Sequence, residues 1–455
     1  MEANWLSVTD FLFLSLFLAM ATFLKKYFKL LNKLLIPTSI VAGFIGLLLG
    51  PEVLGFVPIN ALNLEKIVYH LMAIGFIALT LKERNHKTNS SNVKTGLIIV
   101  ATYIVQGITG FCISLVLLYT ITPDLFPAFG LLLPLGYGQG PGQSYSIGKQ
   151  WEAMGFQYGG QVGLTIATLG FMWACIGGVI LLNILIRKKK YMTQTMPEQN
   201  SMPKISDESE GGEMPLSSGL DKITVQFFLI GIVYLATYLT LKGLTVILTP
   251  LGSFGQTMSQ LFWGFHFLIG TLYAMLLRLV YDYLLKRKLS VSHYPNNYLL
   301  QRISGVSFDF MITASIAAIS ITAIRLYLVP IALVSTIGGF VTIFYILYIC
   351  KKQFKLHLLE YIVALYGMLT GTISTGLALL KEVDPQFNTQ AAESLVLGSA
   401  VGLFFGLPLM VILNIPIMGY LNHNPMMYLI TLAALAAYFV VISLILHVIN
   451  KREKQ

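Results

Sequence analysis

Charged residues are scarce in this chain of 455 residues: only 11% are Asp, Glu, Lys or Arg, whereas 56% are hydrophobic. A soluble domain has about 25% charged residues, so this composition excludes a cytoplasmic enzyme, a secreted disulfide scaffold and a disordered chain. Cysteine is also rare, because Cys112, Cys175 and Cys350 are the only three and form no CxxC spacing. We therefore expect neither a disulfide framework nor a zinc site.

The sequence motifs that mark common chemistry are missing too. There is no Walker A run, no HExxH and no GxSxG, and the seven histidines are scattered along the chain. ATP-driven pumping and a membrane-embedded enzyme are therefore disfavoured, and we expect no cofactor and no catalytic residues. No basic region precedes the first apolar stretch, which predicts a retained span and not a signal peptide.

Long apolar runs fill the chain instead. A helix needs about 20 apolar residues to cross the hydrocarbon core of a bilayer. We predict an all-α polytopic membrane protein whose spans lie at 5–24, 34–50, 65–81, 95–119, 157–186, 221–241, 257–285, 303–323, 327–350, 391–413 and 424–449.

The basic residues are better explained by topology than by nucleic-acid binding, despite a net charge of +10. They cluster at 25–33, 82–94, 187–222, 286–302, 351–355 and 451–454. If the Gly-rich stretches 126–148 and 359–380 dip into the membrane and return, every cluster faces the cytoplasm, whereas full crossings would split them. We therefore predict two re-entrant hairpins in a protein of the plasma (inner) membrane, with the N-terminus outside and the C-terminus cytoplasmic.

The two predicted hairpins resemble each other. Each contains Tyr-Gly, then spaced glycines with small polar residues, then a Lys/Glu pair and a Phe. Because they occupy matching positions in halves of opposite orientation, they predict an inverted repeat of two five-helix halves, each with a re-entrant hairpin. The predicted units are 1–190, a cytoplasmic linker at 191–220, 221–416, and an additional C-terminal transmembrane helix and tail at 417–455.

The hairpins carry the candidate substrate- and ion-binding residues, since irregular backbone at membrane depth is tolerated where it lines a cavity. They are Tyr137, Gly138, Gln139, Gly140, Gly142, Gln143, Ser144, Tyr366, Gly367, Thr370, Gly371, Thr372, Ser374 and Thr375. The alternative is that these small residues only allow close helix packing. Lys149, at the base of the first hairpin with Glu152, either attracts an anionic substrate or anchors at lipid headgroups.

Asp309 is a further candidate, because an ionisable group inside a span marks a functional site by default. Asp309, Ser144 and Thr372 are the candidate sodium ligands. The alternative for Asp309 is an interfacial position at the start of its helix, beside Arg302.

The run Gly136-Tyr137-Gly138-Gln139-Gly140-Pro141-Gly142, followed by Trp151-Glu152 and Gly155-Phe156, resembles the first Gly-rich hairpin of the sodium/glutamate symporter family. The stretch around Tyr366-Gly367 and Thr370-Gly371-Thr372 resembles the second. The resemblance implies sodium-coupled uptake of an acidic amino acid by a homodimer with a rocking or elevator-like transport domain. Both hairpins depart from the family, which commonly has Gly-His where this chain has Gly136-Tyr137 and Tyr366-Gly367.

The sequence thus predicts a secondary active transporter in the lipid bilayer. The expected coupling ion is sodium, and the expected substrate is glutamate or a related small organic anion bound between the hairpins. The alternatives are an ion channel, since Gly-rich loops also build selectivity filters, and a proton-coupled transporter of another small solute.

Overall fold

The computed structural model describes residues 2–28, 31, 35–82, 90–187, 222–251, 255, 258–259, 262–287, 295–384 and 389–452. The predicted linker at 191–220 lies outside these residues, as do parts of several basic clusters. Everything below concerns the described part of the chain.

The described chain is helical. The long helices of its first portion are α1 (Glu2–Tyr27), α2 (Thr38–Leu49), α3 (Ala61–Leu81), α4 (Ser90–Thr120), α5 (Pro141–Glu152), α6 (Gly159–Met172) and α7 (Gly178–Arg187). The second portion has α8 (Lys222–Leu248), α9 (His266–Lys286), α10 (Asn297–Ala317), α11 (Ile321–Leu326), α12 (Leu328–Gln353), α13 (Leu358–Thr370), α14 (Ile373–Lys381), α15 (Gln390–Ile412), α16 (Ile415–Leu421) and α17 (Met426–Arg452). Short 3-10 helices at Phe129–Leu131 and Thr249–Leu251, and π-helical segments at Pro134–Gln139 and Trp173–Gly177, complete the set.

Nine helices among the described residues are long and apolar enough to cross a membrane. They are Val8–Tyr27, Ala61–Leu81, Ser90–Thr120, Gly159–Arg187, Lys222–Leu248, His266–Lys286, Leu328–Gln353, Gln390–Leu421 and Met426–Lys451. The chain is therefore a multi-pass helical membrane protein, as the apolar runs predicted.

Two of the eleven predicted spans are not among these nine. The run at 34–50 forms only the 12 residues of α2, about 18 Å of helix, between Pro37 and Gly50. The run at 303–323 is divided: α10 begins earlier and ends at Ala317, and the Ser320 side chain accepts the Ala323 N–H to start α11. The lengths of the apolar runs did not predict these helix ends, because capping and helix-breaking residues, and not hydropathy, decide where the helices end.

The helices pack into two groups, and each group draws on both halves of the chain. We call α1–α3 with α8–α10 the scaffold body, in which α10 packs on α2 and α3, and α9 packs on α3 and α8. We call α4–α7 with α12–α17 the hairpin body, in which α4 packs on α12, α15 and α17. Each body has a buried apolar core, and Tyr145, Leu164 and Phe171 of the hairpin body pack into the core of the scaffold body.

Both Gly-rich stretches double back on themselves. The Phe126 and Trp151 rings lie 5.9 Å apart, although a continuous helix would separate these residues by about 37 Å. In the second stretch, the Thr375 hydroxyl on α14 donates to the carbonyl of Gly367 on α13 at 2.8 Å. Each stretch is therefore a helical hairpin, with tips at Gly140 and at Gly371–Thr372.

The first hairpin packs against α4 almost backbone to backbone. A Cβ on Gly130 would lie 1.8 Å from the Gly110 carbonyl oxygen, and a Cβ on Gly110 would lie 2.0 Å from the Gly130 oxygen. The Gly130 amide also donates to the Ser114 hydroxyl at 2.6 Å. Two glycines thus set the distance between α4 and the hairpin.

We predict that Gly130→Ala destabilises the protein by about 1–3 kcal/mol, because its methyl group forces two backbones apart. Thermal unfolding of the detergent-purified protein measures the effect. Gly231→Ala is the matched control, since a Cβ there meets nothing within 4 Å and alanine favours a helix over glycine. Equal melting temperatures for Gly130→Ala and the unsubstituted protein would contradict this packing.

Candidate functional site

A cavity of about 380 Å³ lies between the two bodies. Both hairpin tips reach it, and its remaining walls come mainly from α3, α10 and α15, with residues of α2, α4 and α9. Its volume falls within the range of small-molecule sites in proteins, about 300–1,000 Å³. The cavity is thus large enough for a small solute and lies where two separately packed groups of helices meet.

The first hairpin tip places backbone in the cavity wall. Gly140 has φ +92° and ψ 176°, a conformation open essentially to glycine alone. Pro141 follows at the first position of α5, where its missing N–H costs nothing. Gln143 is buried in the same wall, and its side-chain oxygen has no hydrogen-bond partner. This tip therefore contains a buried polar atom whose hydrogen-bonding capacity is not used up by the described residues.

The second tip lies against the first. A Cβ on Gly140 would lie 4.0 Å from the Thr372 methyl group. Thr372 begins α14 with a capping box, in which the Thr375 hydroxyl accepts the Thr372 N–H at 2.7 Å. The capping box satisfies the Thr372 N–H within the second tip. Thr372 and Ser374 both line the cavity wall.

The hairpins bring helix ends of both polarities to the cavity. The N-termini of α5 and α14 lie at the tips, and α5 has no side-chain cap. Helix N-termini carry partial positive charge and attract anions, while the carbonyls that end Pro134–Gln139 and α13 attract cations. One small volume can therefore receive an anionic group and a cation together.

Charged side chains stand on the facing wall of the scaffold body. Asp309 on α10 is exposed to the cavity, and Ser39, at the start of α2, lines the same wall. Lys82, which follows the end of α3, donates a hydrogen bond to the Gln301 side chain. Burial lowers the pKa of the Lys82 ammonium group, because desolvation disfavours its charge. Among the residues that the structure describes, the cavity wall thus includes one carboxylate, Asp309, and one amine, Lys82.

The structure places nine of the fifteen candidate residues in the cavity wall: Gly138, Gln139, Gly140, Gly142, Gln143, Gly371, Thr372, Ser374 and Asp309. The other six lie outside this wall, and five of them make contacts that hold the hairpins in place. The Tyr137 hydroxyl donates to the Ser335 carbonyl at 2.7 Å, and the Tyr366 hydroxyl donates to the Trp173 carbonyl at 2.9 Å. Thr370 donates to its own helix at Tyr366, and Gly367 and Thr375 hold the second hairpin closed.

The three candidate sodium ligands do not share one wall. Asp309 and Thr372 line the cavity, whereas Ser144 does not. Ser144 is fully buried behind the first tip, against Gly163 of α6, and its hydroxyl has no hydrogen-bond partner. Among the described residues, no three His, Cys, Asp or Glu side chains form a group that could hold a metal ion.

Several cavity residues were not predicted from the sequence, notably Ser39, Lys82, Tyr103 and Gln301. The Tyr103 hydroxyl donates to the Gly138 carbonyl at 2.9 Å, which satisfies a peptide group at the first tip. Lys82 was counted only as part of a basic cluster, and its position at the end of a predicted span was the available signal. Tyr103 had no signal, because nothing in the sequence of its helix marks the side that faces the first hairpin tip.

Comparison with known proteins finds no match to the chain among family models, curated proteins or solved structures.

We predict that Tyr103→Phe destabilises the protein by about 1–3 kcal/mol, because the buried Gly138 carbonyl loses its donor. The difference in melting temperature in detergent measures this loss. Tyr283→Phe, which removes an exposed hydroxyl from α9, provides the control and should melt with the unsubstituted protein. Identical melting of both variants would show that the Gly138 carbonyl has another partner.

Proposed function

We propose that this chain is a secondary active transporter that carries a small organic anion together with a cation, most simply sodium. The observation that carries the proposal is the meeting of two broken helical hairpins, tip to tip, at a cavity between two packed bodies. Interrupted helices at an internal boundary are the common site architecture of secondary transporters. No covalent step is involved.

The distribution of helices supports an inverted repeat. In each half, the first three long helices join the scaffold body: α1–α3 in one case and α8–α10 in the other. In each half, the following helix, a hairpin and a further long helix join the hairpin body. If the two halves are an inverted repeat and their corresponding helices join the same body, the two hairpins approach one site from opposite sides.

The chemistry of the cavity supports the substrate class. The uncapped N-terminus of α5 and the Lys82 amine favour a carboxylate, and Asp309 with the tip hydroxyls favours a cation. Glutamate and a homodimeric assembly are suggested by the resemblance of the hairpins to the sodium/glutamate symporters. The hairpin body is the part that would move relative to the scaffold body.

The first experiment is uptake of labelled glutamate into proteoliposomes with and without an inward sodium gradient. We expect accumulation only with the gradient, and we expect Gly140→Ala to abolish it because alanine cannot hold the tip conformation. Gly155→Ala is the matched control: Gly155 also has positive φ, +104°, but lies away from the cavity. It should keep most of the uptake.

Failure of glutamate to accumulate, with sodium still raising the melting temperature, would replace glutamate by another small anion. Absence of both sodium-dependent uptake and sodium-dependent stabilisation would reject sodium coupling. Flux above about 10⁵ per second, faster than conformational changes of this size, would indicate a channel.

We predict that Asp309→Asn weakens the sodium dependence of uptake. It should also raise the sodium concentration for half-maximal stabilisation at least tenfold, which corresponds to a loss of about 1.4 kcal/mol of sodium-binding free energy. Removal of the carboxylate charge leaves the side-chain shape nearly unchanged. Asp282→Asn is the control, since Asp282 pairs with Arg278 at 2.9 Å outside the cavity. A sodium titration that is unchanged in Asp309→Asn would remove Asp309 from the ion site.

A further inference from the structure

The cavity occupies only one half of the boundary between the bodies. On α3 its wall runs from Met72 to Lys82, and on α10 from Gln301 to Ile312. These are the C-terminal half of α3 and the N-terminal two-thirds of α10. The cavity therefore extends toward the end of the molecule where Lys82 and Gln301 lie.

The opposite half of the boundary is closed by direct contact. A Cβ on Gly142 would lie 2.6 Å from the Met72 sulfur and 2.9 Å from the Met311 sulfur, so the first hairpin tip touches both α3 and α10. Beyond this contact lies Glu65, which precedes Lys82 by 17 residues on the same helix, about 25 Å along its axis. Glu65 thus marks the closed end.

Glu65 is a buried carboxylate of the scaffold body whose observed partners belong to the hairpin body. One oxygen accepts the Tyr145 hydroxyl of α5 at 2.7 Å, and the other accepts the Gln161 amide of α6 at 2.6 Å. The Lys149 ammonium lies 3.4 Å from the first oxygen. The side chain is 7% exposed, so these partners replace water around its charge.

Gln161 of the hairpin body, which donates to Glu65, also accepts a hydrogen bond across the boundary. The Gln161 side-chain oxygen accepts the amide of Ser320, in the turn that follows α10 of the scaffold body, at 3.0 Å. Lys149 makes a second ion pair with Glu152 at 2.9 Å, and Glu152 accepts the Gly160 amide within the hairpin body. The charged and titratable groups around Glu65 are therefore Lys149, Glu152 and Tyr145, with Tyr69 nearby on its own helix.

A carboxylate that served only to stabilise a fold would be expected to bond within its own body, as Asp10 does. The Asp10 oxygens accept the Asn60 amide and the Asn63 side chain, both at 2.9 Å and both in the scaffold body. Separation of the two bodies would leave Asp10 satisfied but would remove the Tyr145, Gln161 and Lys149 partners of Glu65 together. Glu65 therefore ties closure of this end to the position of the hairpin body.

We infer that Glu65, Tyr145, Lys149 and Gln161 form a gate that closes the cavity at the end opposite Lys82. The structure is then the state open toward Lys82, and release of Glu65 from the hairpin body opens the other end. This inference rests on the proposed transport function for its role in a cycle. The gate itself can be tested without a substrate.

The test measures labelling of a cavity cysteine from each membrane face. Gly305→Cys serves as the reporter, because Gly305 lines the cavity, is exposed and has nothing within 4 Å of a Cβ. Cys112 is exposed and is replaced by serine, whereas Cys175 and Cys350 are buried. Intact cells and inverted vesicles are treated with a membrane-impermeant maleimide, and labelling is measured by mass spectrometry.

A second cysteine variant, Asp124→Cys, identifies the face on which Lys149 lies. Asp124 is exposed in the turn after α4, and Phe126 of that turn contacts Trp151, two residues from Lys149. With Glu65 intact, we expect the Gly305→Cys reporter to react only from the other face. Glu65→Gln should raise its labelling from the Asp124 face about tenfold, as expected for loss of one charge-assisted hydrogen bond.

Asp10→Asn is the matched control, a buried carboxylate at the same end whose bonds stay within one body, and it should leave the labelling pattern unchanged. Tyr145→Phe removes a single hydroxyl and should shift labelling in the same direction by less, which provides a test if Glu65→Gln does not fold. Unchanged labelling in the folded variants, or labelling from both faces with Glu65 intact, would overturn the gate. Uptake measured in the same variants reports separately on transport.

Discussion

A peptide group that leaves the regular helical hydrogen-bond pattern inside a membrane protein must find another partner, and the site is built around that constraint. The chain breaks two helices, at Gly140 and at Gly371, and then satisfies the freed groups with hydroxyls. Tyr103 reaches the Gly138 carbonyl, and Thr375 reaches the Gly367 carbonyl. The buried Gln143 side chain lies in the wall of the cavity between the bodies, and its oxygen has no hydrogen-bond partner among the described residues. The breaks thus create both the opening and its polar surface.

Close backbone approach makes these breaks structurally possible. Gly110 and Gly130 bring α4 against the first hairpin, and Gly148 and Gly159 bring α5 against α6 in the same way. Without a hydrophobic driving force between helices in lipid, such small residues supply the packing that holds a bundle together. The hairpins are therefore held rigidly inside their own body, and the contacts that can change are those at the boundary with the scaffold body.

That boundary has two different halves. On one side of the hairpin tips it is an open cavity with Asp309 and Lys82, and on the other it is a network centred on Glu65. Both halves involve α3 and α5, whereas α10 lines the first half and α6 contributes Gln161 to the second. A movement of the hairpin body that closes the first half must strain or release the second, which is the mechanical relation that alternating access needs.

Composition by itself determined that the chain is a helical multi-pass membrane protein, because apolar runs of span length have few other uses. Local sequence also located the interrupted stretches at 126–148 and 359–380, because clustered glycines, with Pro141 in the first stretch, weaken a continuous helix. Nine of the fifteen candidate residues consequently lie in the cavity wall.

Only the tertiary structure decided which side of each helix faces the cavity. A membrane helix is apolar toward lipid and toward its neighbours alike, so its sequence lacks the periodicity that reveals a buried face in a soluble protein. For this reason the roles of Tyr103 and Glu65, and the pairing of Glu65 with Gln161, could not be read from the sequence. Helix orientation is set by contacts between residues far apart in the chain, such as the 96 positions that separate Glu65 from Gln161.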